Sequence, residues 1–506
     1  MDILSFEFFV FTFIAVLIYW ICPKKYRWTA LLVSNLVFVW YANSFSRRAC
    51  AVMVFLILAA YIAGLLFERF AQNMRMKKLI LACALLSEAG LLIILKDMDF
   101  LRRYLPFGIA DFKFVYLIAP LGVSYFTLSL IGYILDTYWG SAIERNPLKF
   151  FLFGSYFPLL TSGPIVKYSD TGKELVKSHD FSYERMCFGV QRILWGIFKK
   201  IVLSERLAVI VNTVYGNPAA YPGLYVWTAM VLFVLQLYTD FSGCLDIIYG
   251  VSELFGIALP ENFDLPFASG SLSEFWRKWH ITLGLWLKNY ILYPVLKSKP
   301  LIWLGGKSKK WFGKKYGKKI PTWCGLFVSW FLIGFWHGGS WNYIIGVGLW
   351  MWFVIVLGDA SEGVLKRAAV FLQCRTDCFS WNLFRSVRTF LLFAFGLGMF
   401  PASSFMSGLE VYKAGFSVFN PWIFFNESFL GMGLTVIDYS VLRISVLTVV
   451  IAGIIKLVKK VPVREWISEQ NVYFRWSVWI GLFLIVLIYG KYGPGYDAAE
   501  FIYRGF

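Results

Sequence analysis

The chain has 506 residues, of which 59% are apolar and only 16% charged, against about 25% charged in an ordinary soluble domain. Runs such as "FFVFTFIAVLIYWIC" and "LILACALLSEAGLLIIL" belong to stretches long enough to cross a hydrocarbon core about 30 Å thick, which excludes a soluble globular protein. A net charge of +19 in so apolar a chain excludes nucleic-acid binding as its meaning and points instead to basic loops beside a membrane.

Taken in order, apolar stretches fall near residues 5–23, 28–43, 50–68, 78–96, 114–135, 187–214, 224–250, 322–337, 341–358, 385–401, 437–458 and 474–491. They are continuous rather than alternating, so they predict an all-α polytopic membrane protein with about 11–13 transmembrane helices and not a barrel. The 22 Trp, 28 Tyr and 50 Phe predict aromatic belts at the two membrane interfaces. Asp2 and Glu7 precede the first stretch, without a basic leader or a small-residue cleavage site before Lys24, which reads as an uncleaved first span. Lys24, Lys25 and Arg27, then Arg75, Lys77 and Lys78, place the first and third loops in the cytoplasm and the N-terminus outside. Arg47, Arg48, Arg102 and Arg103 fall on the outer side and count against that orientation.

Two apolar pieces are broken, at 148–162 and at 281–296, "ITLGLWLKNYILYPVL". Such segments are tolerated in a membrane only when buried in protein or lining a wet cavity, so they predict re-entrant or interfacial helices beside an internal chamber. Between Lys297 and Lys319 there are nine lysines and no acid. This is read as a cytoplasmic loop facing anionic headgroups, and as an attractor for an anionic acyl donor. The eight cysteines read as buried free thiols, because Cys374 and Cys378 lack the partners a zinc site needs.

Polar side chains inside spans are costly and mark function or pairing. "QLYTDFSGCLDIIYG" puts Asp240, Ser242 and Asp246 on a membrane helix, where the acids are expected to pair with bases elsewhere. "SEFWRKWHITLGLWLKN" carries Trp276, Trp279 and His280 beside Arg277 and Lys278. "GFWHGGSWN" carries Trp336, His337, Gly338, Gly339, Ser340, Trp341 and Asn342. A buried imidazole stays neutral and can accept a proton from an alcohol, while Gly338–Gly339 weaken the helix and admit a close-lying substrate. The competing structural reading is a histidine hydrogen-bonded between helices that the glycines let approach. No phosphate-cradling G-x-x-x-x-G-K-[ST], dinucleotide loop or H-E-x-x-H is present, and "LGVSYF" is not a nucleophile elbow.

Six blocks in register give a sharper reading. They are "PLGVSYFTLSLIGYILDTYWG" (120–140), "SYFPLLTSGPIVKY" (155–168), "YTDFSGCLDIIYGVSELFGIALPENFDLPF" (238–267), "SEFWRKWHITLGLWLKNYILYP" (273–294), "FLIGFWHGGSWNYIIGVGLW" (331–350) and "EFIYRGF" (500–506). Together they resemble the membrane-bound O-acyltransferase family, in its bacterial branch of alginate O-acetylation and teichoic acid D-alanyl transfer. The resemblance implies one integral membrane domain over 1–506, with a family core at about 110–400, N-terminal spans in 1–100 and C-terminal spans at about 435–495. It also implies a ring of tilted helices around a central tunnel. His337 matches the family's invariant histidine and His280 its second histidine, both catalytic candidates. Trp336, Gly338, Gly339, Ser340, Trp341, Asn342, Trp276 and Trp279 would line or shape the tunnel, and Asp240, Ser242 and Asp246 would support it.

The expected reaction moves an acyl group, by preference acetyl, from a cytoplasmic thioester (acetyl-CoA or an acyl carrier protein) toward a cell-surface polysaccharide. No metal or resident cofactor is expected. The expected partners are membrane lipids, an extracytoplasmic acyltransferase or polysaccharide-synthesis proteins, and a carrier protein on the cytoplasmic face. D-alanyl transfer to teichoic acid is the alternative within the class. A transporter or channel with His337 as a proton relay is the alternative outside it.

Overall fold

The computed structural model describes residues 3–97 and 118–493. Block 500–506, Arg102, Arg103 and the first residues of the 114–135 stretch lie outside the described residues. Every regular element among the described residues is helical, and the one β-bridge joins Phe263 to Trp279. The protein is thus an all-α polytopic membrane protein. Among the described residues, six helices are long and apolar enough to cross a bilayer: Arg47–Arg69, Met74–Lys96, Leu224–Leu254, Trp341–Phe371, Val436–Lys459 and Val472–Tyr489. Phe6–Ile21 and Ile320–Trp336 are apolar but shorter. Six is fewer than the twelve apolar stretches of the sequence, because several of those form short helices or helices with a polar face. Large apolar side chains such as Phe13, Ile21, Ile451 and Phe483 stand exposed on these helices, a surface that only lipid can cover favourably.

Two compact units divide the chain: Met1–Val202 with Thr239–Glu261 and Val461–Phe506, and Leu203–Tyr238 with Asn262–Lys460. In the first, Asn35 is fully buried and ties two elements together. Its Oδ1 accepts from Phe157 N at 3.1 Å, beside a cluster of Phe8, Phe38 and Phe157 rings. In the second, Leu207, Ile210 and Val214 of Glu205–Gly216 pack with Val226, Met230, Val411 and Met432.

The broken pieces are helical but short: Pro147–Gly154 with Phe157–Leu160, and Ile281–Leu287, Lys288–Leu292 and Tyr293–Leu296. The lysine-rich segment corrects the sequence reading. It is a helix, Lys299–Gly317, and not a loop, with one non-helical residue at Gly313. Pro300 sits in its first turn, where proline is tolerated, and its lysines are good helix formers. The cysteines are free, but Cys244 alone is buried; Cys83 is exposed and the others are half-buried, Cys374 and Cys378 on the segment between two helices.

Candidate active site

The helix Ile320–Trp336 stops where "HGGS" begins. His337 N donates to Ile333 O at 3.1 Å, and Gly338 N and Gly339 N both donate to Phe335 O, at 3.1 and 2.8 Å. Gly338 and Gly339 then take φ of 152° and 56°, which no side chain adopts easily. The chain restarts as a helix at Trp341 and returns along the first. The return is close: a Cβ on Gly334 would lie 2.6 Å from Ile344 Cα, a contact of the kind small residues permit inside membranes. The Gly-Gly pair therefore breaks the span, as its composition predicts, and leaves His337 at the break.

His337 is 3% exposed, and its ring centroid lies 5.0 Å from Trp336 and 5.9 Å from Phe400. His280 is 2% exposed and lies 6.1 Å from the same Trp336 ring. Two histidines 57 positions apart in sequence thus meet one indole. Burial lowers the His280 pKa to about 3, so its imidazole is neutral.

His280 is held unusually. Its backbone is left-handed, with φ 48° and ψ 51°, immediately before helix Ile281–Leu287. A non-glycine residue there costs roughly 1–2 kcal/mol and persists only when its surroundings enforce it. The enforcing group is Asn262, itself fully buried. Its Oδ1 accepts from Thr282 N at 2.9 Å and from Thr282 Oγ1 at 2.8 Å, and its backbone O accepts from Ile281 N at 3.1 Å. Asp264 N donates to Lys278 O at 3.0 Å on the other side of the bend.

The remaining candidates separate. Trp276 sits 4.8 Å from Trp330 and 5.6 Å from Phe393, in an aromatic cluster four positions before His280 in the chain. Trp279 is 2% exposed, stacks on Phe275 at 5.4 Å and touches Phe263 and Phe393, which makes it a core residue. Asn342 is buried and donates through Nδ2 to Ala402 O at 3.0 Å, bracing the turn after His337. Ser340 caps that turn through its carbonyl, which accepts from Tyr343 N and Ile344 N, while Trp341 is 38% exposed. Phe400, Trp330, Phe393 and Asn262 are neighbours that the sequence does not single out. Asn262 alone had a local signal, as a polar residue in "PENFD".

Asp240, Ser242 and Asp246 belong to the other unit and pair as expected of buried acids. Lys200 Nζ lies 2.6 Å from Asp240 Oδ1, with both side chains almost fully buried. Lys199 Nζ reaches Asp246 Oδ2 at 2.7 Å and Ser242 Oγ at 2.8 Å, and Arg192 Nε reaches Asp246 Oδ1 at 3.0 Å. Lys199 and Lys200 lie on a π-helical turn, Phe198–Ser204. Their signal was "FKKI", two bases inside an apolar run.

Apolar helices, the regular elements among the described residues, with buried histidines beside a break in one of them, define a multi-pass membrane protein. The comparisons give the family. A profile described as MBOAT, the membrane-bound O-acyltransferase family, matches residues 145–385. The probable alginate O-acetylase AlgI of Pseudomonas aeruginosa is 29% identical over 433 residues, which is 83% of this chain and 76% of that protein. The peptidoglycan O-acetyltransferase of Helicobacter pylori is 31% identical over 297 residues, 53% of each. The teichoic acid D-alanyltransferase of Bacillus subtilis is 29% identical over 241 residues, 45% of this chain and 56% of the relative. The matched segment, residues 145–385, belongs to the membrane-bound O-acyltransferase family, and the protein is an O-acyltransferase.

Proposed function

We propose that the protein transfers an acetyl group from a cytoplasmic thioester, through the bacterial cytoplasmic membrane, for O-acetylation of a cell-surface polysaccharide. The observation that carries this reading is the convergence of His337 and His280 on Trp336, at a point where the span is broken by Gly338–Gly339. A neutral His337 nitrogen takes the proton of the acceptor hydroxyl as its oxygen attacks the thioester carbonyl carbon. The tetrahedral intermediate collapses with cleavage of the carbon–sulfur bond. The leaving thiolate takes the proton back from the imidazolium and departs as thiol, leaving His337 neutral for the next turnover. The acceptor is a hydroxyl of an extracytoplasmic partner transferase, which passes the group to the polymer.

The acetyl group is preferred over D-alanine because similarity to the alginate O-acetylase covers 83% of the chain, against 45% for the D-alanyltransferase. His337→Ala tests the reading. Polymer acetylation should fall to background while the protein still assembles in the membrane. Acetylation that survives the substitution overturns the catalytic role. A change in proton flux with acetylation intact would instead favour a relay in a transporter.

A further inference from the structure

We propose that Arg385 and Arg388 form an anion site that grips the phosphate of the donor's thioester arm. The inference rests on the thioester reading above, in which the donor carries a phosphorylated pantetheine arm, and adds to it the residues that hold that phosphate. Both arginines lie on the helix Phe379–Leu397, one turn apart, so their charges face the same neighbourhood. Among the described residues neither makes an ion pair with an acid. Arg388 Nη2 donates to Gly270 O at 3.0 Å, while its Nε is buried without a partner. Arg385 packs its guanidinium on the same glycine, where a Cβ would lie 2.8 Å from Cζ.

The preceding residue, Ser269, is fully buried and its Oγ also lacks a partner. One carboxylate is close: Glu274 Oε2 accepts from Gly270 N at 3.0 Å, but its Oε1 is already paired with Lys278 Nζ at 2.9 Å. The charge left over is that of two arginines. Buried or half-buried guanidinium groups are seldom left without an anion, and their forked donors match phosphate oxygens.

Position supports the assignment. Eight residues along the same helix, about 12 Å at 1.5 Å per residue, Phe393 meets Trp276, and the chain from Gly270 runs ten residues to His280. An elongated arm with its phosphate on the arginines would thus run beside this aromatic cluster toward the histidines. The arginine end of this helix also follows a basic stretch, Lys366, Arg367 and Arg375, the signature of the cytoplasmic side.

The test compares S-acetyl-4′-phosphopantetheine with S-acetylpantetheine as donors, using the full chain in phosphatidylcholine nanodiscs with and without phosphatidylglycerol. The wild type should favour the phosphorylated donor on the order of tenfold in KM, the scale of one charge-assisted contact. Arg385→Gln with Arg388→Gln should abolish that preference and leave turnover of the unphosphorylated donor intact, and Arg385→Lys with Arg388→Lys should restore much of it. An unchanged preference in the glutamine variant overturns the site. Equal loss with both donors, not rescued by lysine, also overturns it, as a structural effect. If the arginines affect only the response to phosphatidylglycerol, the anion is a lipid headgroup and the donor assignment falls. Acetyl transfer by the wild type from neither donor, while the polymer is still acetylated in cells, sinks the thioester reading itself.

Discussion

His280 and His337 share one neighbour, the Trp336 ring, at 6.1 and 5.0 Å between ring centroids. The two histidines reach it by different means. His337 follows Trp336 at the end of a helix, whereas His280 is delivered by a left-handed bend that Asn262 holds from twenty residues away. The indole is therefore the common wall that sets the spacing of both imidazoles.

Trp336→Ala should lower acyl transfer at least tenfold, because a shift near 1 Å in a reacting group suffices for losses of that size or more. Trp336→Phe should retain more activity, since it keeps an aromatic wall. Transfer rates of membranes with matched protein content check this. Equal activity of the two variants would mean the ring does not position the histidines.

Asn262→Ala removes the acceptor for two buried donors, Thr282 N and Oγ1. Leaving each unsatisfied costs about 1–3 kcal/mol, and the His280 bend loses its restraint. The expected result is a clear drop in thermal midpoint together with loss of activity. Thr282→Val removes only one of the two donors and should lower the midpoint less than Asn262→Ala, as read by thermal unfolding in detergent.

Lys200 and Asp240 form a buried pair in the other unit, 2.6 Å apart. Substituting one partner, as in Asp240→Ala, strands a buried charge and should destabilise by roughly 3–5 kcal/mol. The double change Lys200→Met with Asp240→Leu should be close to neutral. If that doubly apolar protein assembles yet loses acyl transfer, the pair has a function beyond architecture.

A stability change with pH follows from His280. Its pKa is about 3 when folded against 6.5 as the reference, so between these values the unfolded chain binds the extra proton. Stability contributed by the neutral imidazole is therefore present above about pH 6.5 and lost as pH falls toward 3. At pH 5 the loss is about 2 kcal/mol. His280→Gln cannot take up the proton, so its midpoint should fall less than that of the wild type between pH 7 and pH 5. Identical falls would show that His280 is not held neutral by burial.

Much of this molecule was legible before any coordinates. Long apolar runs can only be helices in lipid, because a membrane offers the backbone no water to bond to. The stop at Gly338–Gly339 was legible too, since glycine takes positive φ values without the strain another residue would bear. The acids of "YTDFSGCLD" were expected to pair, for a buried carboxylate without a base is too costly. Their partners were harder to see, because Lys199 and Lys200 are marked by nothing except being basic in an apolar run.

What the tertiary structure alone decided is which distant residues meet. Periodicity reports the faces of one helix, and says nothing of which neighbour a face finds. Hence Trp279, placed beside His280 by sequence, turns into the core, while Phe400 arrives from far along the chain to meet His337. The lysine-rich segment is another case: its charge was plain, but that it folds as the helix Lys299–Gly317 was seen only in the structure. Sequence determined that this is a helical membrane acyltransferase with two exceptional histidines. The folded chain brought those histidines to a single indole, since only the fold sets the distance between residues 57 positions apart.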